Sequence, residues 1–279
     1  MPTAKRTAIA FVYVLAAIVA LAFLALPIVA IFARTSPGRL VDQLSNPVVK
    51  DALVVSLKTS GLAQLLILLL GTPTAYLLAS RRFPGRLLAI TLVELPLVLP
   101  PAVAGIGLLA AFGRVGLLGS NLRALGITLP FTQTAVTIAV AFVASPLYVR
   151  QAIAAFEATD PSLAAASRTL GAGPVRTFFR VVLPLASGGL LAGLALSFAR
   201  GLGEFGATIM FAGSLQKVTQ TLPLAIYAEF DRNFDATLAM SGVLVLFSVA
   251  LLVGLRLALS WQGSPSTGSK SLFGLSTSS

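Results

Sequence analysis

The 279-residue chain contains no cysteine and no histidine. That excludes disulfides, thiolate chemistry, histidine-ligated haem and the usual zinc sites, and no metal site is expected. Charge is scarce: Asp, Glu, Lys and Arg are 10% of the residues, with 9 acidic against 20 basic and a formal net charge of +11. No Gly-x-x-x-x-Gly-Lys-Ser/Thr run occurs, so the usual phosphate loop for ATP hydrolysis is missing. What fills the chain instead is apolar: 57% hydrophobic residues and a mean hydropathy of +0.94. This composition calls for the bilayer as solvent, and the apolar runs leave no stretch able to bury an independent soluble core. The basic residues are scattered at loop ends without interleaved aromatics, which is a topological signature and not a nucleic-acid face.

The apolar runs predict an all-α integral membrane protein with six transmembrane helices, at Ala8–Ala33, Leu53–Ser80, Leu87–Phe112, Thr134–Arg150, Val181–Arg200 and Ala236–Leu259. Each can cross about 30 Å of hydrocarbon with its backbone hydrogen bonds made internally. Ala8–Ala33 is too long for a signal-peptide apolar core and lacks a small-x-small cleavage site, so it is expected to remain as a span. With the N-terminus inside, the inner segments carry Lys5, Arg6, Arg81, Arg82, Arg86, Arg150, Arg168, Arg176, Arg180, Arg256 and Lys270. The outer ones carry Arg34, Arg39, Lys50, Arg114, Arg123, Lys217 and Arg232, while Lys58 and Arg200 fall in spans. The larger inner set places both termini and the Glu157–Pro184 loop in the cytoplasm. The acids Asp42, Asp51, Glu229, Asp231 and Asp235 nearly neutralise the outer loops and read as solvated surface.

That inner loop is the most informative segment. Asp160 suits a helix N-cap and Pro161 the first helical position, where a missing N–H costs nothing. Leu163, Ala166, Ser167 and Leu170 fall on one face, and Gly171 suits the left-handed conformation that closes a helix. Gly173-Pro174 then break the chain and permit a new helical start at Val175. A short helix held outside the bilayer by two membrane helices is placed to dock into a groove on another protein. Gly171, nine intervening residues, Val181, one residue and Leu183-Pro184 resemble the loop of membrane subunits from binding-protein-dependent ABC importers. The resemblance implies that this helix, between spans four and five, couples to a cytoplasmic ATPase through Asp160, Leu163, Ala165, Ala166, Ser167, Arg168, Leu170, Gly171 and Pro184. The family pattern has Glu-Ala-Ala six residues before the glycine. Here Ala165-Ala166-Ser167 stand there, so the acidic residue is absent.

Two segments inside the spans carry further signals. Leu95-Pro96-Leu97-Val98-Leu99-Pro100-Pro101 puts three prolines into span three, followed by Gly105 and Gly107, which allow close helix approach. It is similar to a proline-rich segment of molybdate and sulfate permeases, which implies a pore-lining bend at Pro96, Pro100 and Pro101. Glu94 beside it is expected to face protein or water, with Arg81 or Arg86 as its partner. Arg200-Gly-Leu-Gly203-Glu204-Phe-Gly206-Ala-Thr208 formally contains a dinucleotide fingerprint. A membrane helix precedes it where a strand is required, so that reading is rejected. Arg200 and Glu204 stand four apart and are expected to pair on one helix face. The glycines can let the helix unwind and present backbone N–H groups to an oxyanion, with Thr208 as a neutral donor. The segment, with Thr219-Gln220-Thr221-Leu222-Pro223-Leu224 after it, resembles the end of span five in molybdate permeases more than in sulfate permeases.

The resemblance covers roughly residues 51 to 259. It implies the pore-forming subunit of an ATP-driven oxyanion importer, molybdate before tungstate or sulfate, in a bacterial or archaeal plasma membrane. It further implies two copies forming the pore, an ATPase subunit bound to each and holding ATP and Mg, and an external binding protein. Arg200, Gly203, Glu204, Gly206 and Thr208 join the three prolines as candidates for the path or gate. The chain itself is expected to hold no cofactor and to catalyse no reaction. The domain reading is an N-terminal span and outer loop over 1–50, a permease core over 51–259, and a Ser/Gly/Thr-rich disordered cytoplasmic tail over 260–279. Two readings from other classes fit the sequence less well. An ion-coupled secondary transporter needs midplane ionisable groups and a repeat, for which Lys58, Glu94 and Arg200 are thin candidates. A non-transporting scaffold leaves the proline segment and the inner loop without a purpose.

Overall fold

A computed structural model describes residues 2–262. Among them all regular structure is helical: α1 (Pro2–Arg34), α2 (Pro37–Ser45), α3 (Pro47–Ser80), α4 (Arg86–Val98), α5 (Pro101–Phe112), α6 (Gly119–Ala124), α7 (Gln133–Glu157), α8 (Pro161–Thr169), α9 (Pro174–Thr177), a π turn (Phe178–Val182), α10 (Leu183–Leu202), α11 (Gly206–Ala212), α12 (Leu222–Phe230) and α13 (Phe234–Gln262). Most of the expected 260–279 tail lies outside the described residues.

Among the described residues, five helices are long and apolar enough to span a bilayer, and α4 with α5 forms a sixth candidate bent by 116°. The single third span expected from the sequence is therefore two helices. Its break falls at Leu99 and Pro100, both extended, because each precedes a proline and is driven out of the helical region. Pro96, by contrast, stays inside α4 and is buried. Span four continues past Arg150 to Glu157, which puts Arg150 within the helix and not at its end. Span five begins at Pro174, upstream of Val181, and runs to Leu202 through the π turn. The Leu183 N–H bonds to the Phe178 carbonyl there, and the wider turn accommodates Pro184, which lacks an N–H.

The centre of the bundle is α3, α7 and α10. Without a hydrophobic force between helices in lipid, close packing needs small residues at the contact. α10 supplies Gly189 against Ala155, Gly193 against Gln151 and Gly201 against Val140, where an added Cβ would lie 2.5, 2.9 and 2.8 Å from the facing atom. α3 supplies Gly71, which lies under the ring of Tyr148. Tyr148 is fully buried, and its hydroxyl shares a 2.7 Å hydrogen bond with Thr72. Ser197 of α10 donates to Gln64 of α3 at 2.8 Å, so polar contacts also tie the three helices.

Contact order along these helices gives their directions. Thr72 meets Tyr148 and Tyr76 meets Phe156, so α3 and α7 run parallel. The segment between them must carry the chain back to the other end, so bent α4–α5 makes one net crossing. The α7–α10 contacts run antiparallel. Gly242 of α13 packs on Ile31, Phe32 and Leu40, and Arg39 pairs with Asp235 at 2.6 Å, which puts the end of α1 beside the start of α13. The start of α1, the loop at 81–85, the segment at 158–173 and the end of α13 thus share one end of the bundle. The loops at 35–46, 113–132 and 203–233 share the other. Asp235 and Asp51, expected as solvated surface, make exposed contacts there with Arg39 and the Gln216 amide.

The Tyr148–Thr72 bond is buried within the central pair, so its loss should register in stability. Tyr148→Phe is expected to lower the stability of the solubilised protein by about 1 kcal/mol, while Thr72→Val added to it costs little more. Thermal unfolding in detergent of both single variants and the double variant checks this.

Candidate functional site

The two interrupted segments of the sequence meet in space. α4 and α5 are broken at Leu99-Pro100, and α10 and α11 are broken from Gly203 to Phe205. A Cβ at Gly206 would lie 2.7 Å from the Pro101 Cβ, and one at Gly105 would lie 2.6 Å from the Ala207 carbonyl oxygen. These two glycines let the second half of each broken helix close on the other. Gly107 and Gly203 face open space, so the close approach expected of Gly107 is made by Gly105 alone. Gly203 closes α10 at φ −89°, where no glycine is required.

Arg200 and Glu204 pair as their spacing suggests, with Nη1 and Oε2 2.8 Å apart, but not on a helix face. α10 ends at Leu202, and Glu204 lies in the break beyond it. Its side chain is 1% exposed against 34% for Arg200. The other carboxylate oxygen accepts from the Ala207 N–H at 2.8 Å. One backbone donor of this segment, the Ala207 N–H, is thus occupied by the protein's own carboxylate, which caps α11 while binding Arg200. Thr208 is fully buried and its hydroxyl has no hydrogen-bond partner among the described residues. Pro96 lies off this junction, lining an apolar cavity of about 400 Å³ with Leu66, Leu70, Leu92 and Phe142.

The second candidate region is α8, at the opposite end of the bundle from the α10–α11 break. The Asp160 carboxylate accepts from the Ser162 N–H at 2.8 Å, and that bond holds its pKa below the ordinary aspartate value. The cap is therefore intact above the usual carboxylate range and is lost as pH falls through the lowered pKa. At the other end Gly171 has φ +86°, with its N–H on the Arg168 carbonyl and the Ala172 N–H on the Ser167 carbonyl. Leu163 and Leu170 are 45% and 88% exposed. With Ala166 and Ser167 they line a cavity of about 680 Å³ whose far wall is Arg176, Arg180 and Pro184. Ser167 also bonds to Thr177 across the turn. Ala165 and Arg168 point to the other flank, into a cavity of about 640 Å³ with Arg82 and Arg86.

Sequence reasoning mispaired Glu94. Its partner is Arg150 of α7 at 3.0 Å, while Arg86 binds Glu157 at 2.7 Å and the Leu78 carbonyl. Ending span four at Arg150 concealed that this arginine lies within the helix, one of whose neighbours is α4. Gln64 and Ser197 were also missed, and their only sequence signal is that both are polar within apolar runs.

Residues 68–261 match the family of binding-protein-dependent transport system inner membrane components. The chain belongs to this family. The molybdenum transport system permease protein ModB of Mycobacterium tuberculosis is 43% identical over 242 residues, 86% of this chain and 91% of that one. The sulfate transport system permease protein CysT of Salmonella typhimurium is 37% identical over 218 residues, 77% of this chain and 78% of that one. A bacterial alginate ABC transporter solved with a pentasaccharide-bound periplasmic protein shares the fold, with TM-score 0.73 at 15% identity over 93% of this chain and 97% of that one.

Because Glu204 is buried and bonded twice, removing its charge should be costly. Glu204→Gln is expected to lower stability by about 3 kcal/mol, and Arg200→Gln added to it should restore part of the loss. If Arg200→Gln alone abolishes transport at normal expression and the double variant recovers nothing, Arg200 is an anion contact and not a structural partner. Unfolding midpoints read alongside uptake separate the two outcomes.

Proposed function

We propose that this chain is the membrane subunit of an ATP-driven molybdate importer. The single observation that carries the reading is the 43% identity to a molybdenum permease over most of both chains. Its geometry is consistent with it: two abutting broken helices at one level and a capped, exposed helix at one end. Two copies form the pore, and an external binding protein delivers the anion to the 203–233 end. The 158–173 end faces the cytoplasm with both termini, in keeping with its excess of arginine. There α8 is the coupling helix. Its apolar Leu163 and Leu170 are exposed at the surface, where burial in a cleft of a separate ATPase would remove them from water. ATP and Mg belong to that partner, and Ala165 presents no carboxylate to it. Sulfate is the second reading, on the likeness to the sulfate permease.

Uptake of labelled molybdate into proteoliposomes tests this, with the binding protein outside and ATP and the ATPase inside. Uptake that needs all three components, and that excess sulfate fails to suppress, is expected. Uptake without ATP overturns the importer reading, and full suppression by sulfate overturns the substrate.

Gly171 tests α8 separately. A Cβ there meets nothing within 4 Å, so the whole cost of substitution is the left-handed backbone, about 1–2 kcal/mol. Gly171→Val is expected to insert normally yet hydrolyse ATP without uptake. Wild-type uptake by this variant would remove α8 from the coupling role.

A further inference from the structure

The Glu94–Arg150 pair is exposed where lipid contact is costly. Its side chains are 38% and 60% exposed. Glu94 lies eight residues into α4 and Arg150 seven before the end of α7, or about 12 and 10 Å from the inner ends of those helices. An arginine can snorkel over that distance, but the shorter carboxylate cannot, and a charge left in hydrocarbon costs several kcal/mol. The face that carries this pair therefore looks onto water or protein.

Its position narrows the choice. On α7, Gln151 and Ala155 pack on Gly193 and Gly189 of α10, while Arg150 reaches α4. An exposed strip that includes Arg150 and Ala154 runs between these two flanks. α10 carries Arg200 beside Gly201, which meets α7 at Val140. Arg150 thus lies about 14 Å further toward the inner end than Arg200. Each arginine is held by one carboxylate, but the two pairs differ. Glu204 is buried and also caps α11, whereas Glu94 has no second partner among the described residues. Arg150 binds Glu94 through Nε, and neither of its Nη groups has a partner among those residues.

We infer that Arg150 is an anion contact in the inner half of the translocation path, presenting its Nη donors to a tetrahedral oxyanion. Glu94 offsets part of its charge, so the anion is held weakly and released. The transported anion rests on the function proposed above, whereas the exclusion of lipid does not.

The natural absence of cysteine makes the test direct. Ala154→Cys places a thiol on the exposed strip, and Phe23→Cys places one on apolar α1 as the control. Inside-out vesicles holding the assembled transporter are treated with methanethiosulfonates bearing a sulfonate or a trimethylammonium group. The expected result is modification of Ala154→Cys but not Phe23→Cys. The anionic reagent should be favoured about tenfold relative to a free thiol in water, since a charged cleft concentrates its counter-ion. Arg150→Gln should abolish the preference, Arg150→Lys should keep it, and Glu94→Gln should enlarge it while lowering both the uptake rate and the half-saturating anion concentration. No modification by either reagent, which a lipid or subunit contact would give, overturns the inference. So does a preference unchanged by Arg150→Gln. ATP-driven uptake by the same variants is read separately in proteoliposomes with the binding protein outside and ATP and the ATPase inside, so failure of the importer reading and failure of the Arg150 assignment give different results.

Discussion

The structure depends on closing two helix breaks against each other. A break within a bilayer frees backbone groups that lipid cannot bind, so it survives only where protein covers it or a water-filled cavity reaches it. Here Pro100-Pro101 open one helix, and the Gly203–Phe205 turn opens the other. Gly206 against Pro101 and Gly105 against Ala207 bring the halves into contact, and Glu204 satisfies the Ala207 N–H in the first turn of α11. That arrangement fixes where Arg200 can be, because its partner is the same carboxylate.

Around that junction the bundle divides by rigidity. α3, α7 and α10 are joined through glycine contacts, the buried Tyr148 hydroxyl and the Ser197–Gln64 bond. Each glycine contact leaves no room for a Cβ, so the three helices form one closely packed unit. α8 touches this core mainly through the turn that follows it, where Ser167 meets Thr177. The turn after α8 leads into α9, the π turn and α10, one continuous helical segment from Pro174 to Leu202.

Local chemistry in the sequence led to most of this, and tertiary contact explains what it missed. Asp160, Pro161 and Gly171 define α8 because caps and left-handed glycines act within a few residues. The Pro100-Pro101 bend was legible for the same reason, though its 116° size was not, since that depends on what packs into the angle. That Gly105 and not Gly107 makes the close contact depends on α11, over a hundred residues away. The Arg200–Glu204 pair is legible by spacing, yet the second bond of Glu204 to Ala207 is not, because it depends on where the helix breaks and how α11 restarts. Glu94 was given to Arg81 or Arg86 because those arginines are near in sequence. Its actual partner belongs to α7, which a truncated span had placed at the boundary.

A transporter of a doubly negative anion faces opposing demands on its arginines. A guanidinium in a low-dielectric path attracts such an anion strongly, and an unopposed one holds it. Two arginines on α7 and α10, the helices of the rigid core, each have a carboxylate in contact. Pairing lowers the desolvation cost of keeping the charge within the membrane and weakens its hold on a passing anion. One carboxylate is buried and serves the helix junction as well, so that pair is bound to the architecture. The other is half-exposed, with spare donors on its arginine, so its charge is available to a ligand. The same two-residue chemistry can thus support the fold at one level and meet the anion at another, and burial of the acid decides which.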